Sequence, residues 1–361
     1  MAQLALSAVI VVAVFAYAVP RIADYSAVLA TIRGLTAVEI VWLFAAVVLV
    51  LVTYWLANMA ALPGLRLAQA AVVTQTTTSV ANTLPAGGAV AVGLTYQILR
   101  SWGFSAHAIT LYIGVTGVWN VFVKLALPVL SLALLMLTGQ ASPALLVASM
   151  VGLGVLAVAI ALLSFALSSM RSARRIGDGV ARLASWFRRP FGKPPLTGWG
   201  EEAVVFRRRT IVLIAGRWLL VTATTIASQL ALWLVLLLCL RHVGISEQEV
   251  TTLQTLAVFA FGRLLATIPV TPGGLGVIEL GYIGGLVSAG GNAEQVVAAV
   301  LLFRALTHGI QIPIGAFTYV IWRTRGGWRR ETLPDTETGT ETEAEPEPET
   351  WVEPELGLLP A

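Results

Sequence analysis

Polar and ionisable side chains recur at helical spacing inside strongly apolar stretches of this chain. Thr116, Asn120 and Lys124 are each four residues apart, and Arg304 and His308 repeat that spacing near the other end. Residues at this spacing share one face of a helix. Ionisable groups in an apolar environment are costly, so each one is a functional hypothesis by default. The pattern predicts a polar binding site inside a helical bundle.

The charged members of this set are unbalanced. Lys124, Arg263 and Arg304 stand against a single carboxylate, Glu279. A pair between Glu279 and either arginine would fasten the local structure, but it would leave two cations without a counter-charge. An anionic ligand is the natural partner for such an excess, and the amino-terminal ends of broken helices would add to it. We interpret His308 as a hydrogen-bonded core histidine rather than a proton carrier.

Two proline–glycine motifs interrupt apolar stretches that would otherwise span a membrane. They are TLPAGG at 83–88 and TPGG at 271–274. Proline removes a backbone donor and glycine weakens a helix, so such breaks are tolerated at membrane depth only where the freed groups face protein or a water-filled cavity. We therefore expect both motifs to line the substrate site. This adds the following candidates: Asn82, Pro85, Gly87, Gly88, Pro272, Gly273, Gly274 and Gly276.

Several kinds of chemistry lack the residues that they need. Aspartate occurs only at positions 24, 178 and 335, so there is no Asp-x-Asp pair and no carboxylate dyad in an apolar stretch. The three histidines have no metal-ligand spacing, and the single cysteine, Cys239, cannot form an internal disulfide. The glycine-rich motif lacks a P-loop lysine. The sequence predicts no catalytic residues, no metal and no cofactor, and therefore not an enzyme.

The composition indicates an all-α polytopic membrane protein. The 361 residues are 57% hydrophobic and 12% charged, with a mean hydropathy of +0.83. A soluble domain carries about 25% charged residues. Residues 331–361 differ from the rest, because they hold ten acidic residues and no lysine or arginine. We predict a transmembrane domain over 1–325 and a disordered, acidic cytoplasmic tail over 331–361.

The distribution of arginine predicts the orientation in the membrane. The longest polar interruption, 171–209, is strongly basic, and arginines also follow Trp322. By the positive-inside rule both segments are cytoplasmic, and topology alone explains them without a nucleic-acid partner. Residues 250–291 must then begin and end outside, and residues 70–99 must begin and end inside. Each is expected to form a re-entrant helical hairpin with a proline–glycine motif at its centre.

These constraints predict an inverted repeat. One unit comprises the helix 38–60, the hairpin 70–99 and the helix 108–138. The other comprises the helix 210–240, the hairpin 250–291 and the helix 293–322. The units run in opposite senses, as in transporters whose substrate sites form where interrupted helices meet. With a retained first helix near 1–20, the expected architecture is about six full spans plus two re-entrant hairpins, with both termini cytoplasmic.

The motifs resemble those of a known family. PGGLGVIE at 272–279, NTLPAGG at 82–88 and the basic segment 171–209 are similar to the transmembrane region of the lysylphosphatidylglycerol synthase and flippase family. The resemblance covers about residues 1–325 and implies a bundle with re-entrant elements that moves a phospholipid or a polyprenyl lipid between leaflets. This chain departs from the pattern at Gly88 and Ala91, where many relatives carry an acid and an arginine. The family's soluble aminoacyl-transferring domain is not expected here.

Three functional hypotheses remain open at this stage. The leading one is a flippase-like transporter of an anionic phospholipid or a polyprenyl-phosphate lipid, with membrane lipids as its partners. The second is a membrane enzyme, or a subunit of one, that acts on polyprenyl-phosphate sugars. The third is a scaffold for a separate lipid-modifying synthase. The expected location is the cell membrane, and the scarcity of lysine beside abundant alanine, valine and glycine favours a bacterial source.

Overall fold

The computed structural model describes residues 25–84, 87–139, 169–188, 198–266 and 271–324, with isolated residues between 154 and 165. The expected first helix near 1–20, almost all of the expected span 143–169 and the acidic tail 331–361 lie outside these ranges. The described elements are helical, and we number them as follows: α1 Tyr25–Arg33, α2 Ala37–Ala61, α3 Leu67–Thr83, α4 Gly87–Ser101, α5 Ala106–Leu137, α6 Met170–Arg188, α7 Trp199–His242, α8 Thr252–Leu265, a 3₁₀ turn Pro272–Gly274, α9 Val277–Ser288, α10 Ala293–Arg304, a π-helical turn Ala305–Gly309 and α11 Gln311–Thr324.

Four of the described helical stretches are long and apolar enough to cross a membrane. They are Ala37–Ala61, Ala106–Leu137, Gly216–His242 and the combined stretch Ala293–Thr324. A span needs about 20 residues. Large apolar side chains on the outer face of α2, such as Trp42 and Val48, are exposed in the isolated chain. Such a face is expected for a helix that contacts lipid, so the protein is an all-helical integral membrane protein.

Capping residues set where several helices begin. Thr36 accepts a hydrogen bond from the Glu39 amide, and the Glu39 carboxylate accepts one from the Thr36 amide, which forms a capping box at the start of α2. Thr251 and Gln254 form the same arrangement at the start of α8. These bonds satisfy amides that lack partners within the helix. These polar signals therefore mark where the two helices begin.

Each helical hairpin packs into its own core. The hairpin of α3 and α4 contributes Val73 and Ile98 to a core that also contains Trp322 of α11. The hairpin of α8 and α9 contributes Phe259 and Tyr282 to a larger core shared with α2, α7 and α10. Helix α2 packs along α7, while α3 packs along α11 and α8 along α5. The two hairpins therefore belong to different hydrophobic cores.

The hairpins differ in how completely their second helices are covered. In α9, Tyr282 and Leu286 are fully buried. In α4, Val90 and Val92 remain about half exposed, at 48% and 49%. The second hairpin is thus enclosed by neighbouring helices, whereas the first presents one of its helices at the surface of the chain.

Two glycines permit the closest helix contacts. A Cβ atom at Gly262 would overlap the Tyr282 ring, so α8 and α9 can approach only because this residue is glycine. A Cβ atom at Gly315 of α11 would overlap the Ser79 side chain and the Gln75 carbonyl oxygen of α3. Small residues at interfaces let membrane helices pack at short range. The Ser79 hydroxyl donates to the Ile312 carbonyl at 3.1 Å across the same interface.

We expect Gly315→Ala to destabilise the protein, because part of the obstruction is backbone and cannot rotate away. Overpacking of this kind costs about 1–3 kcal/mol. Thermal unfolding in detergent should show a lower Tm for this variant. Gly117→Ala in α5 is the matched control, since a Cβ atom there meets nothing within 4 Å. An equal Tm for the two variants would contradict the proposed tight contact between α3 and α11.

Candidate functional site

The second proline–glycine motif forms a sharp turn between α8 and α9. Gly273, Gly274 and Gly276 have φ angles of 59°, 69° and 88°. Side chains other than glycine rarely adopt these angles. The Gly274 amide donates to the Thr271 carbonyl at 3.0 Å, and the Thr271 hydroxyl donates to the Leu275 carbonyl at 2.8 Å. The sequence TPGGLG thus satisfies part of its own backbone where the chain turns.

A buried ion pair fastens this turn to α10. Arg304 donates from Nε to Glu279 Oε1 at 2.6 Å and from Nη2 to the Gly273 carbonyl at 2.9 Å. The other Glu279 oxygen accepts the Gly276 amide at 2.7 Å, at the start of α9. The Arg304 and Glu279 side chains are only 7% and 1% exposed. Both Glu279 oxygens and two of the Arg304 nitrogens, Nε and Nη2, therefore help to hold the hairpin.

His308 extends this network from the π-helical turn. Nη1 of Arg304 lies 2.6 Å from Nε2 of His308, and an arginine can only donate. The Thr307 hydroxyl donates to the Phe303 carbonyl at 2.7 Å and lies 3.2 Å from Nδ1 of His308. Nη1 of Arg304 also lies 3.1 Å from Nδ1 of His308, so an unprotonated ring nitrogen accepts from the guanidinium and the imidazole is neutral in this network. His308 is thus a hydrogen-bonded histidine within the core.

The second proline–glycine motif contacts Asn82, the residue that directly precedes the first motif. A Cβ atom at Gly273 would lie 3.4 Å from the carbonyl oxygen of Asn82 and 3.6 Å from its Oδ1 atom. A Cβ atom at Gly87 would lie 2.5 Å from the Val80 carbonyl oxygen, so this glycine brings α4 against α3. A Cβ atom at Gly88 would meet nothing within 4 Å. Pro85 lies outside the described residues, and so does the side chain of Pro272.

A second polar cluster joins α5, α7 and α8. Arg263 donates from Nε to Gln229 Oε1 at 3.0 Å. Gln229 Nε2 makes a long contact of 3.5 Å with Asn120 Oδ1, and Asn120 Nδ2 donates to the Thr116 carbonyl at 3.1 Å. Gln229 is fully buried at the centre of the candidate span 216–242. Gln229 therefore holds the Arg263 guanidinium at its Nε atom. Within the described residues, the two terminal nitrogens of Arg263 have no protein partner.

Lys124 lies in the electrostatic field of Arg263, one turn along α5 from Asn120. Within the described residues, its ammonium group has no hydrogen-bond or ion-pair partner, and Arg263 has no carboxylate partner either. The Lys124 carbonyl also lacks its usual helical hydrogen bond, because Pro128 has no amide hydrogen to donate to it. The field of Arg263 also reaches His308, so the two polar clusters are neighbours.

The candidates from the sequence therefore divide into two groups. Gly273, Gly276, Glu279, Arg304 and His308 form one network, which contacts Asn82 of the first motif. Asn120 and Arg263 form the other, with Lys124 near it. Gln229, which links α5 to α8, was not among the residues predicted from the sequence. An amide at the centre of the apolar stretch IASQLALW was the available signal.

Carboxylates and metal-ligating side chains are scarce in the described part of the site. Glu279 is the buried carboxylate of the described residues, and both its oxygens are engaged by Arg304 and by a backbone amide. No group of three His, Cys, Asp or Glu residues within the described ranges could hold a metal ion. Besides Glu279 and His308, which Arg304 engages, the described site presents cations and amides, and these groups bind anions.

These features define a polytopic helical membrane protein with a cationic polar site between interrupted helices. Comparison with known proteins adds the family. Residues 2–315 match the family model described as the lysylphosphatidylglycerol synthase transmembrane region, and the chain belongs to that family. A search of curated proteins found no match. Membership supports a membrane protein that takes part in lipid handling.

Breaking the Arg304–Glu279 pair should strongly destabilise the protein, because either partner alone would leave a buried charge. We expect Arg304→Met and Glu279→Gln each to cost about 3–5 kcal/mol, and the double variant to cost clearly less than the sum. Thermal unfolding in detergent measures all three. The control is Arg174→Met, which breaks the exposed Arg174–Glu201 pair. If Arg304→Met lowers the Tm no more than this control does, the pair does not fasten the hairpin.

Proposed function

We propose that this protein moves an anionic lipid between membrane leaflets. The observation that carries the proposal is the pair of cations, Lys124 and Arg263, that lack counter-charges within the described residues. Unpaired charges at membrane depth are costly and usually mark a substrate or ion pathway. A bound anionic head group would supply the missing charge. The acyl chains of the lipid could remain in the bilayer while the head group crosses the bundle.

Arg263 is oriented for this task. Its Nε atom donates to Gln229, so the edge that carries Nη1 and Nη2 can face a ligand. Two parallel N–H donors match two oxygens of a phosphate group. Gln229 is itself positioned by Asn120 on α5. We therefore propose Asn120, Lys124 and Arg263 as the head-group site, with Gln229 as the residue that positions the guanidinium.

We propose a different role for the residues at the second hairpin turn. Arg304 uses all three of its nitrogens on Glu279, His308 and Gly273, which leaves it no free edge for a ligand. Glu279 and His308 are engaged by the same network. We assign these residues to holding the turn in position. The glycines of the two motifs shape the wall of the site and do not bind the charged head group. They are Gly87, Gly88, Gly273, Gly274 and Gly276.

The helix contacts support an inverted repeat. Exchanging α2 with α7, α3 with α8, α4 with α9, and α5 with the unit α10–α11 maps most observed contacts onto other observed contacts. The contact of α3 with α11 becomes that of α8 with α5, and α2 with α3 becomes α7 with α8. The pair α2 and α7 maps onto itself. Such a pattern is expected if two units of the same architecture are related by a two-fold axis.

The lengths of the hairpin helices support re-entrant segments. Helices α8 and α9 have 14 and 12 residues, or roughly 21 and 18 Å at 1.5 Å per residue. The hydrocarbon core of a bilayer is about 30 Å thick. Both helices therefore fall short of a full span. With α3 and α4 arranged likewise, we propose that the hairpins enter from opposite sides and meet where Gly273 contacts Asn82.

One observation favours a second candidate function. Helix α6 packs against α7, and its Arg171, Arg174, Arg175 and Arg182 side chains are exposed. A basic helix of this kind could recruit a separate lipid-modifying enzyme to the cytoplasmic face, which is the scaffold hypothesis. The enzyme hypothesis has less support, since Glu279 has no oxygen free to act as a base. We place the protein in the bacterial cell membrane with both termini cytoplasmic.

Labelling of single cysteines from each side of the membrane tests the topology. In a Cys239→Ala background, we expect Gln248→Cys and Ser288→Cys to react from outside, because they flank the second hairpin. Pro63→Cys and Ser105→Cys flank the first hairpin and should react from the cytoplasmic side. All four native residues are exposed. Leu275→Cys at the turn should not react from the cytoplasmic side, and a reaction there would indicate two full spans instead of a re-entrant hairpin.

Transport can be measured with the purified chain in liposomes and a fluorescent anionic phospholipid. We expect movement between leaflets that falls about tenfold in Lys124→Ala and in Arg263→Ala, the loss expected for one charge-assisted hydrogen bond. Arg217→Ala is the matched control, because it removes a cation from an exposed position on α7. Equal transport in all four proteins would exclude these cations from the site, and no transport of any anionic lipid would favour the scaffold.

A further inference from the structure

The charge of the head-group site indicates how many charges its ligand carries. Arg304 and Glu279 neutralise each other in the ion pair, and His308 is neutral because it accepts a hydrogen bond from Arg304. Lys124 and Arg263 remain, so the described part of the site has a formal charge of +2. The two cations belong to one cluster, because Gln229 joins Arg263 to Asn120, which lies one turn along α5 from Lys124. A ligand with one negative charge would satisfy only one of them.

The hydrogen-bond donors point to the same conclusion. Arg263 offers a fork of two terminal nitrogens that is held by Gln229 at its Nε edge. Lys124 adds an ammonium group, which is a compact charge with three donors. A fork and an ammonium group together can engage three oxygens. A phosphodiester has two terminal oxygens and one negative charge, whereas a phosphate monoester has three terminal oxygens and a charge of about −1.5 to −2 at pH 7.

We infer that the site between α5, α7 and α8 selects a lipid that ends in a phosphate monoester over a phosphodiester lipid. The inference rests on the proposed transport function and names the class of its substrate. Two of the three monoester oxygens face the Arg263 fork, and the third faces Lys124. Phosphatidic acid and a polyprenyl monophosphate share this chemistry. Phosphatidylglycerol is the diester that the site disfavours.

Lys124 is then the specificity-determining residue. Arg263 alone can bind two oxygens of either head group, so its loss weakens both classes of lipid. Lys124 attracts either head group by its charge, but it adds a charge-assisted hydrogen bond to a third oxygen only in a monoester, which also carries the second charge. Removal of Lys124 should therefore abolish the preference between the two classes and leave slower movement of both.

The test uses the full chain in neutral phosphatidylcholine vesicles. The probes are fluorescent phosphatidic acid, fluorescent phosphatidylglycerol and a fluorescent polyprenyl monophosphate, each at trace concentration. We expect at least one monoester to cross about tenfold faster than phosphatidylglycerol, the discrimination expected for one charge-assisted hydrogen bond. The variants are Lys124→Met, Lys124→Arg and the exposed control Arg217→Met. Lys124→Met should bring the rates together, while the other two keep the preference.

The outcomes separate this inference from the transport function. Movement of all three lipids at equal rates in the parent would overturn the inference and leave transport intact. A preference that persists in Lys124→Met, with an unchanged Tm, would also overturn it. Movement of no lipid would overturn both the function and the inference. Faster movement of either phosphatidic acid or the polyprenyl monophosphate than of the other supports the inference. It also identifies which hydrophobic part of the lipid the surrounding helices accept.

Discussion

The buried pair of Arg304 and Glu279 is the interaction on which the arrangement of this bundle depends. It joins α10 to the start of α9, and through Gly273 it also holds the turn before that helix. The turn in turn contacts Asn82 of the first hairpin. A single arginine therefore fixes the point at which both interrupted segments meet. Such a pair contributes specificity of structure more than net stability, because desolvation offsets most of its attraction.

The cations of the polar clusters differ in how many protein groups they bind. Among the three cations of the polar clusters, Arg304 has the most protein partners, whereas within the described residues Lys124 and the two terminal nitrogens of Arg263 have none. The second hairpin is enclosed in a core of large side chains, with the Tyr282 ring 5.8 Å from that of Phe303. The first hairpin leaves Val90 and Val92 of α4 half exposed. The enclosed second hairpin and the more exposed first hairpin thus meet at one polar centre.

Much of this organisation was predictable from local pattern. The motifs PGGLGVIE and NTLPAGG and the basic segment 171–209 identified the family. The four-residue spacing along α5 and from Arg304 to His308 identified most of the polar residues. The choice of partner for Glu279 was not predictable, because Arg263 and Arg304 both lie within reach along the chain and only packing decides between them. Gln229 was missed for a related reason. Its role depends on contacts with Asn120 and Arg263, which lie on two other helices.

The π-helical turn at Ala305–Gly309 allows one helical segment to serve both hairpins. Arg304 faces the second hairpin and Gly315 faces the first. In an uninterrupted α-helix, residues eleven positions apart point only about 20° apart. The one extra residue of a π turn changes this angle to roughly 80°. Deletion of a single residue here would rotate α11 relative to α10, so that the surfaces for the two hairpins would coincide and compete.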